Sequence, residues 1–351
     1  MSNFFGHSLK ITSFGESHGL LIGVIIDGFP SNFEVNNEQI QTDLNRRKPG
    51  QSAIGTQRQE DDVFEISSGV FNNKTTGAPI CIFIKNKDAQ SKDYEKLKNV
   101  FRPGHADKVY QEKYKNRDFN GGGRSSARVT AAWVAAGALA KQYLIEKYGI
   151  KSEAVVSSIK SVGLQNPFEI EKWDEAENNV VRCPDKMVAT EMINLIQTTM
   201  LQGDTLGGVI SARIVGCPIG LGEPVFDKLN ADIAKAMFSI NAVKGVEFGS
   251  GFATTLKYGS ENNDGPITNT NNDGGITAGI SNGKNIEFNI AFKPTSSIKK
   301  IQIMETMNDG NIPISVEGRH DPCVLPRAVP IVESMAALVI LDHLLLNLKY
   351  S

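Results

Sequence analysis

The segment Gly121-Gly122-Gly123-Arg124-Ser125-Ser126-Ala127-Arg128 sets three residues without side chains, two cations and two hydroxyls directly before an alanine-rich run, Val129 to Ala140, that reads as a helix. Glycines let backbone amides approach a ligand closely. A helix start adds unpaired N–H groups and the positive end of a dipole, so the segment suits an anion such as phosphate, with Arg124 and Arg128 as countercharge. Its spacing is neither the G-x-G-x-x-G of dinucleotide folds nor a Walker loop. Three further clusters carry chemistry. Gly15-Glu16-Ser17-His18-Gly19 follows a strand-like stretch, Leu9 to Phe14; Arg102-Pro103-Gly104-His105-Ala106-Asp107 places a histidine in a Pro-Gly turn. Gly318-Arg319-His320-Asp321-Pro322 joins a cation, an imidazole and a carboxylate, and its proline holds the preceding residue extended. Three of the five histidines thus lie in such turns.

Imidazoles, a carboxylate, locally concentrated arginine and a glycine-lined anion pocket suit proton transfer beside a phosphorylated substrate, because histidine titrates near neutrality and serves as acid or base. A Ser-His hydrolase is the nearest rival. Against it, Ser17 and His18 are chain neighbours, which seldom face each other as nucleophile and base, and there is no G-x-S-x-G elbow. One histidine in a turn is more often structural than catalytic; the joint occurrence favours function.

Composition narrows the partners. With 37 Lys+Arg against 39 Asp+Glu the formal charge is −2, so no basic field argues for nucleic acid. The cations are local: Arg46-Arg47-Lys48, Arg58, Arg102, Arg117, Arg124 and Arg128. Cys81, Cys183, Cys217 and Cys323 form no C-x-x-C pair, which argues against a zinc site or redox dithiol and for reduced thiols. The N-terminus is polar where a secretory leader needs an apolar run, and no uninterrupted apolar stretch suggests a membrane span. The expectation is a cytoplasmic protein with no bound metal, no nucleic acid and no membrane.

The elements that must position these groups mix strands and helices. Strand-like segments are Leu21–Ile26, Val63–Ser67, Ile80–Ile84, Val155–Ile159, Val209–Val215 and Ile286–Phe292; helix-like segments are Ile40–Arg47, Ala127–Tyr148, Met187–Leu201, Leu229–Ile240 and Val329–Leu348. Strands come in groups rather than alternating with helices, which predicts α+β layering instead of a doubly wound parallel sheet. No linker divides the chain, and one domain over residues 1–351 is expected. Residues 259–284 are dense in Asn, Asp, Gly and Ser, the composition of a mobile loop, and two readings stand: a disordered surface excursion, or a lid that Gly274, Gly275 and Gly279 let approach a ligand.

Taken together, GESHG at 15–19, FRPGHAD at 101–107, GGGRSSAR at 121–128, SINAVKGVE at 239–247, KPTSS at 293–297 and GRHDPC at 318–323 resemble the chorismate synthase family, in family order over essentially the whole chain. The resemblance implies a β-α-β sandwich with helices between two antiparallel sheets, and a homotetramer. It implies a carbon–oxygen lyase that removes phosphate and a ring hydrogen from 5-enolpyruvylshikimate 3-phosphate by 1,4-elimination, giving chorismate in the shikimate pathway. Non-covalent reduced FMN is the implied cofactor, with NADPH as direct or indirect reductant.

By the same resemblance His18 is the acid toward the departing phosphate, His105 protonates or stabilises the reduced flavin, and Asp321 works with the flavin when the ring proton is taken. Flavin contacts fall to Arg124, Ser125, Ser126, Asn241, Ala242, Ala278, Lys293, Pro294, Thr295, Ser296, Ser297 and Arg319. Arg47, Ser17 and Arg128 are assigned to substrate or NADP. Two positions depart from the family pattern: Ala53 replaces a basic residue common in bacterial members, and Ala278 a common glycine. A non-catalytic flavin or phosphate-binding protein is the alternative, but it would not need His18, His105 and Asp321 together.

Overall fold

The computed structural model describes residues 3–56, 60–87, 98–266, 270–307, 310–315 and 321–348. Two five-stranded antiparallel sheets dominate it. The first runs in the order Phe4–Phe5, Lys10–Gly15, Leu21–Asp27, Ile80–Lys85, Phe64–Ser68; the second runs Val162–Gly163, Lys151–Ile159, Gly208–Val215, Ile286–Phe292, Val243–Phe248. Successive side chains point to opposite faces, so each sheet packs one face on the core. In the first, the pairs Ile22–Ile84, Val24–Ile82 and Ile26–Ile80 bury one face; in the second, Ile286, Phe288, Ile290 and Phe292 do the same.

Those two apolar faces enclose the helices. The described helices are α1 (Asn37–Arg47), α2 (Asp107–Tyr114), α3 (Thr130–Tyr148), α4 (Lys186–Leu201), α5 (Leu229–Phe238), the single turn α6 (Gly259–Asn262) and α7 (Leu325–Asn347). α3 packs on strands Leu21–Asp27 and Ile80–Lys85, α7 on Lys151–Ile159 and Gly208–Val215, and the two helices pack on each other, so the layers are sheet, helices, sheet. At the α3–α7 contact the backbones nearly touch: a Cβ on Gly137 would fall 2.2 Å from that of Ser334. The α+β sandwich expected from the sequence is the fold observed.

α7 departs from expectation in two ways. It starts at Leu325 rather than Val329, passing through Pro330. A helical proline donates no N–H to the carbonyl four residues earlier. That carbonyl belongs to Pro326, and the Arg182 guanidinium donates to it instead. α7 is also long and apolar enough to cross a membrane, but every residue from Leu325 to Leu344 except Arg327 is buried inside the protein.

Charges buried where α1, α3 and α7 meet tie the layers. Arg46 Nη1 lies 2.6 Å from Glu333 Oε2, and Lys141 Nζ lies 3.1 Å from the same carboxylate and 2.8 Å from Asp43. Burial alone would push the Glu333 carboxyl up; Arg46 and Lys141 overcome that and hold it down at about 2. A carboxyl depressed on folding stabilises the native state above its unfolded value and loses that contribution as pH falls through the folded value. Between pH 5 and 2 the protein should therefore lose about 3 kcal/mol from this group. Chemical denaturation across that range checks it: Glu333→Gln should be less stable at pH 7 and flatter in its acid response, and an unchanged acid slope would remove Glu333 from the account.

Candidate active site

At one end of the sandwich, chain segments far apart in sequence close a cavity of about 450 Å³. Its walls include Arg47 from the last turn of α1, Arg102 and His105, Ser125 to Arg128, Asn241 and Ala242 beyond the end of α5, Lys293 with Thr295 to Ser297, and Asp321 with Arg327 at the start of α7. His105 is held at both nitrogens, with Nδ1 2.9 Å from the Pro103 carbonyl and Nε2 2.8 Å from Ser297 Oγ. Because a carbonyl only accepts, Nδ1 carries a proton. Lys293 donates to Ser296 Oγ at 2.9 Å and to the Gly104 carbonyl at 3.1 Å. Gly104 has φ +69, and a side chain there would strike Ser296 at 2.7 Å. Asn241 donates through Nδ2 to the Ser125 carbonyl at 2.7 Å, while its Oδ1 is buried without a partner. Ala242 follows at φ +71, a conformation that non-glycine residues adopt at some cost and that concentrates at functional sites.

Beneath this cavity lies a charge cluster. Asp62 Oδ2 accepts from Arg47 Nη1 at 2.7 Å, its Oδ1 accepts from Arg128 Nη1, and all three side chains are buried. Burial pushes the Arg47 guanidinium down; Asp62 opposes this, Arg327 and Arg128 add to it, and the result is about 10, which keeps it charged at neutral pH. Burial would raise the Asp62 carboxyl, yet Arg47 and Arg128 hold it below the usual carboxylate range. Arg327 donates to the Arg47 carbonyl at 3.1 Å and pairs with Asp321 Oδ2, while Asp321 Oδ1 accepts from the Thr56 N–H at 2.9 Å. Arg128 Nη2 is buried without a hydrogen-bond partner at the cavity wall.

His18 lies next to this cavity rather than in its wall. It lines a neighbouring cavity of about 900 Å³, together with Phe14, Tyr110, Arg117 and Arg124; Ala106, Gly122 and Ser125 wall both spaces. His18 thus faces one cavity and His105 and Asp321 the other, with Ala106, Gly122 and Ser125 common to both. Ser17 and His18 also do pair, with Oγ 3.0 Å from Nδ1, although chain neighbours were not expected to. Ser17 is fully buried, so it orients the ring and offers no nucleophile. Gly121, at φ +116, lets the backbone press on the imidazole: a Cβ there would sit 2.4 Å from Nδ1. Asn86 bridges the cavities, accepting from Arg128 Nε at 3.0 Å and donating to the Glu16 and Gly19 carbonyls.

Other expected residues fall outside the main cavity. Arg124 donates to Ser13 and to the Gly15 carbonyl, so part of its hydrogen-bonding capacity goes to structure. The helix expected from Ala127 begins at Thr130; before it come two 3-10 turns, Gly123–Ser125 and Ala127–Val129, because Ser126 is extended and its hydroxyl caps Arg128 N–H. Ala278 occupies a hairpin turn at φ +54, and the Gly279 carbonyl beside it accepts from the first N–H of α5. Neither Ala278 nor any described residue of 259–284 lines either cavity. Arg58, Arg319 and His320 lie outside the described residues. Asp62, Asn86 and Arg327 escaped the sequence reading; the signal for Asp62 was the local Glu60-Asp61-Asp62 run against an excess of nearby arginines.

A pocket lined by buried guanidiniums, a positioned imidazole and a carboxylate, set at the edge of a sheet–helix–sheet sandwich, defines an anion-handling α+β enzyme. Comparison with known proteins makes this specific. The family described as chorismate synthase matches residues 9–345. Chorismate synthase of Cytophaga hutchinsonii is 54% identical over 99% of this chain and 98% of its own length; that of Christiangramia forsetii is 52% identical over 98% of both, and that of Synechocystis 51% over 98% of both. A crystal structure of chorismate synthase matches at 31% identity and TM-score 0.76, covering 98% of this chain and 93% of that one. The chain belongs to the chorismate synthase family, a phosphate-eliminating carbon–oxygen lyase.

The thiols stand apart from this site's chemistry. Burial pushes Cys183 and Cys217 up to about 11 and Cys323 to about 12. Thiolate is the reactive form. Iodoacetamide at pH 8 should therefore spare these three in the native protein and modify them only after unfolding, as mass spectrometry would show; native labelling of Cys323 would contradict the buried placement.

Proposed function

We propose that the 450 Å³ cavity binds reduced FMN and 5-enolpyruvylshikimate 3-phosphate together and that the chain converts the latter to chorismate and inorganic phosphate. The observation that carries this reading is the meeting of His105, Asp321, Arg128 and the Lys293–Ser297 turn around one space. The residues suit a flavin. Unpartnered Asn241 Oδ1 is an acceptor for a ring N–H, and the hydroxyls of Ser125, Ser126 and Thr295 to Ser297 with Lys293 offer contacts for polar and anionic groups. A bound reduced flavin supplies electron density to the substrate and helps remove the ring hydrogen in a reaction that is redox-neutral overall.

The chain's own residues supply the rest. Arg47, Arg128 and Arg327 form a cationic wall against which charge builds on the leaving phosphate, an interaction worth more in a water-poor site than in bulk solvent. His105, its Nδ1–H spent on Pro103, presents Nε2 to the cavity side through Ser297. Asp321, fixed by Thr56 and Arg327, is the carboxylate available when the ring proton leaves. In the tautomer in which Ser17 Oγ donates to Nδ1, His18 carries its proton on Nε2, the form needed to protonate phosphate; this role requires the phosphate to reach the wall of Ala106, Gly122 and Ser125.

The site reading extends to assembly. Ala278 sits at the N-terminal end of α5 and Asn241 just past its C-terminal end, about 15 Å apart along a helix of that length. Contact between Ala278 and flavin therefore belongs to a neighbouring subunit of a homotetramer, for which exposed Phe252, Leu256 and Tyr258 provide apolar surface. Segment 259–284 then orders against that neighbour's ligand as a lid within a single-domain, cytoplasmic chain. NADPH regenerates the reduced flavin, directly or through a separate reductase.

Anaerobic assay with chemically reduced FMN tests the reaction: wild type should release phosphate and chorismate in equal amounts, and His105→Ala or Asp321→Asn should slow turnover by roughly ten- to ten-thousandfold with the fold intact. Normal turnover in both variants would return these residues to structural roles. Limited proteolysis tests the lid. Cleavage within 259–284 should be fast in the apo protein and slow with FMN and substrate, and equal rates would make the segment a passive excursion.

A further inference from the structure

Arg47 and Arg128 reach the cavity from different elements, the last turn of α1 and the turn before α3, and one group holds them in register. Asp62 gives each guanidinium one oxygen, and the three side chains are at most 3% exposed. Asp62 itself adopts φ +49, a left-handed conformation that a non-glycine residue keeps only where its surroundings demand it. The pairing is partial. Arg128 uses Nε on Asn86 and Nη1 on Asp62, while its buried Nη2 makes no hydrogen bond and is ion-paired at 3.7 Å with the buried Glu60 carboxylate, which lines the cavity too. A buried guanidinium N–H without a hydrogen bond beside a cavity has donor capacity for an anionic oxygen. Arg327 brings a third cation, already engaged by Asp321.

We propose that Asp62 is a positioning residue of the elimination site: it sets the Arg47 and Arg128 guanidiniums as a rigid anion cradle, and its single negative charge tempers that cradle so that phosphate is gripped during departure yet released afterwards. The proposal rests on the elimination reading above. It deepens that reading by separating two demands that arginines alone would leave in conflict. Orientation of the guanidiniums favours the transition state, because charge on the departing phosphate meets donors already in place. Net charge governs how firmly free phosphate stays bound. One carboxylate between the two cations serves both, through its two oxygens and its charge.

Asp62→Asn separates the two demands, since it keeps the side-chain shape but removes the charge and one acceptor. Turnover with reduced FMN should fall roughly a hundredfold, the scale expected when binding groups shift by about an ångström. Inorganic phosphate, titrated calorimetrically into the FMN-loaded protein, should bind roughly tenfold tighter, because a nearby opposing charge has gone. Asp62→Glu restores the charge but displaces it by one methylene: phosphate affinity should return to the wild-type value while turnover stays depressed. Weaker phosphate binding in Asp62→Asn, or unchanged turnover, overturns the proposal. If Asp62→Asn does not fold, Asp62→Glu decides: depressed turnover with wild-type phosphate affinity supports the cradle, and parallel loss of both makes Asp62 a structural residue only. Wild-type protein that binds phosphate yet releases no chorismate would instead overturn the elimination reading.

Discussion

Charge buried where three helices converge is the constraint on which the rest of this molecule depends. α1, α3 and α7 lie between two apolar sheet faces, so any ionic group on their inner surfaces must find its partner there or go unpaired. Like charges about 5 Å apart repel by roughly 3 kcal/mol at an effective dielectric of 20. Arg46, Lys141, Asp43 and Glu333 settle this within the helical layer, and Arg47, Asp62, Arg128, Arg327 and Asp321 settle it at the layer's edge. The two sets adjoin through neighbouring residues of α1, Arg46 and Arg47. The first set continues outward to Glu177, which accepts from Arg46 at 2.6 Å, and lines no part of the His105 cavity. The second opens onto that cavity.

Helix geometry adds to the field at the opening. α7 begins at the cavity, and α3 begins just behind it, so the positive ends of two helix dipoles lie on the side where the arginines gather. Arg327 is the only residue between Leu325 and Leu344 that is not buried, and it spends its donors on the Arg47 carbonyl and on Asp321. Asp321 is therefore held by the same network as the arginines of the cavity wall. Asn86 carries the network one step further, to the loop of His18. Two cavities with a shared wall of small residues are thus joined by one polar chain.

Much of this was legible in the sequence because it is local. The apolar run Ile80–Ile84 and the alternating residues of Ile286–Phe292 mark strands, and the latter falls at its observed bounds. Grouped strands dictated an α+β layering, and motif residues marked most of the cavity wall. Errors came where local signals competed. Pro330 reads as a helix start, since the donor it removes is normally missed; only Arg182, from a distant segment, supplies the replacement. The glycine-rich run reads as a simple helix N-terminus, but Ser126 breaks it into two tight turns.

The sequence by itself determined the class of protein, the chemistry its residues can perform and the face each strand buries, because residue type and a period of two or 3.6 act over a few positions of chain. Tertiary structure decided which charges meet. Asp62 is an ordinary acidic residue in a polar stretch until folding brings Arg47 and Arg128 against its two oxygens, and Arg327 looks like one more helix cation until it meets Asp321. His18 carried a clear motif, yet the wall of Ala106, Gly122 and Ser125 between it and His105 exists only once the turns 101–107 and 121–128 pack together. Electrostatic partnership depends on distance in space and on burial, and neither is written in the spacing of residues along a chain.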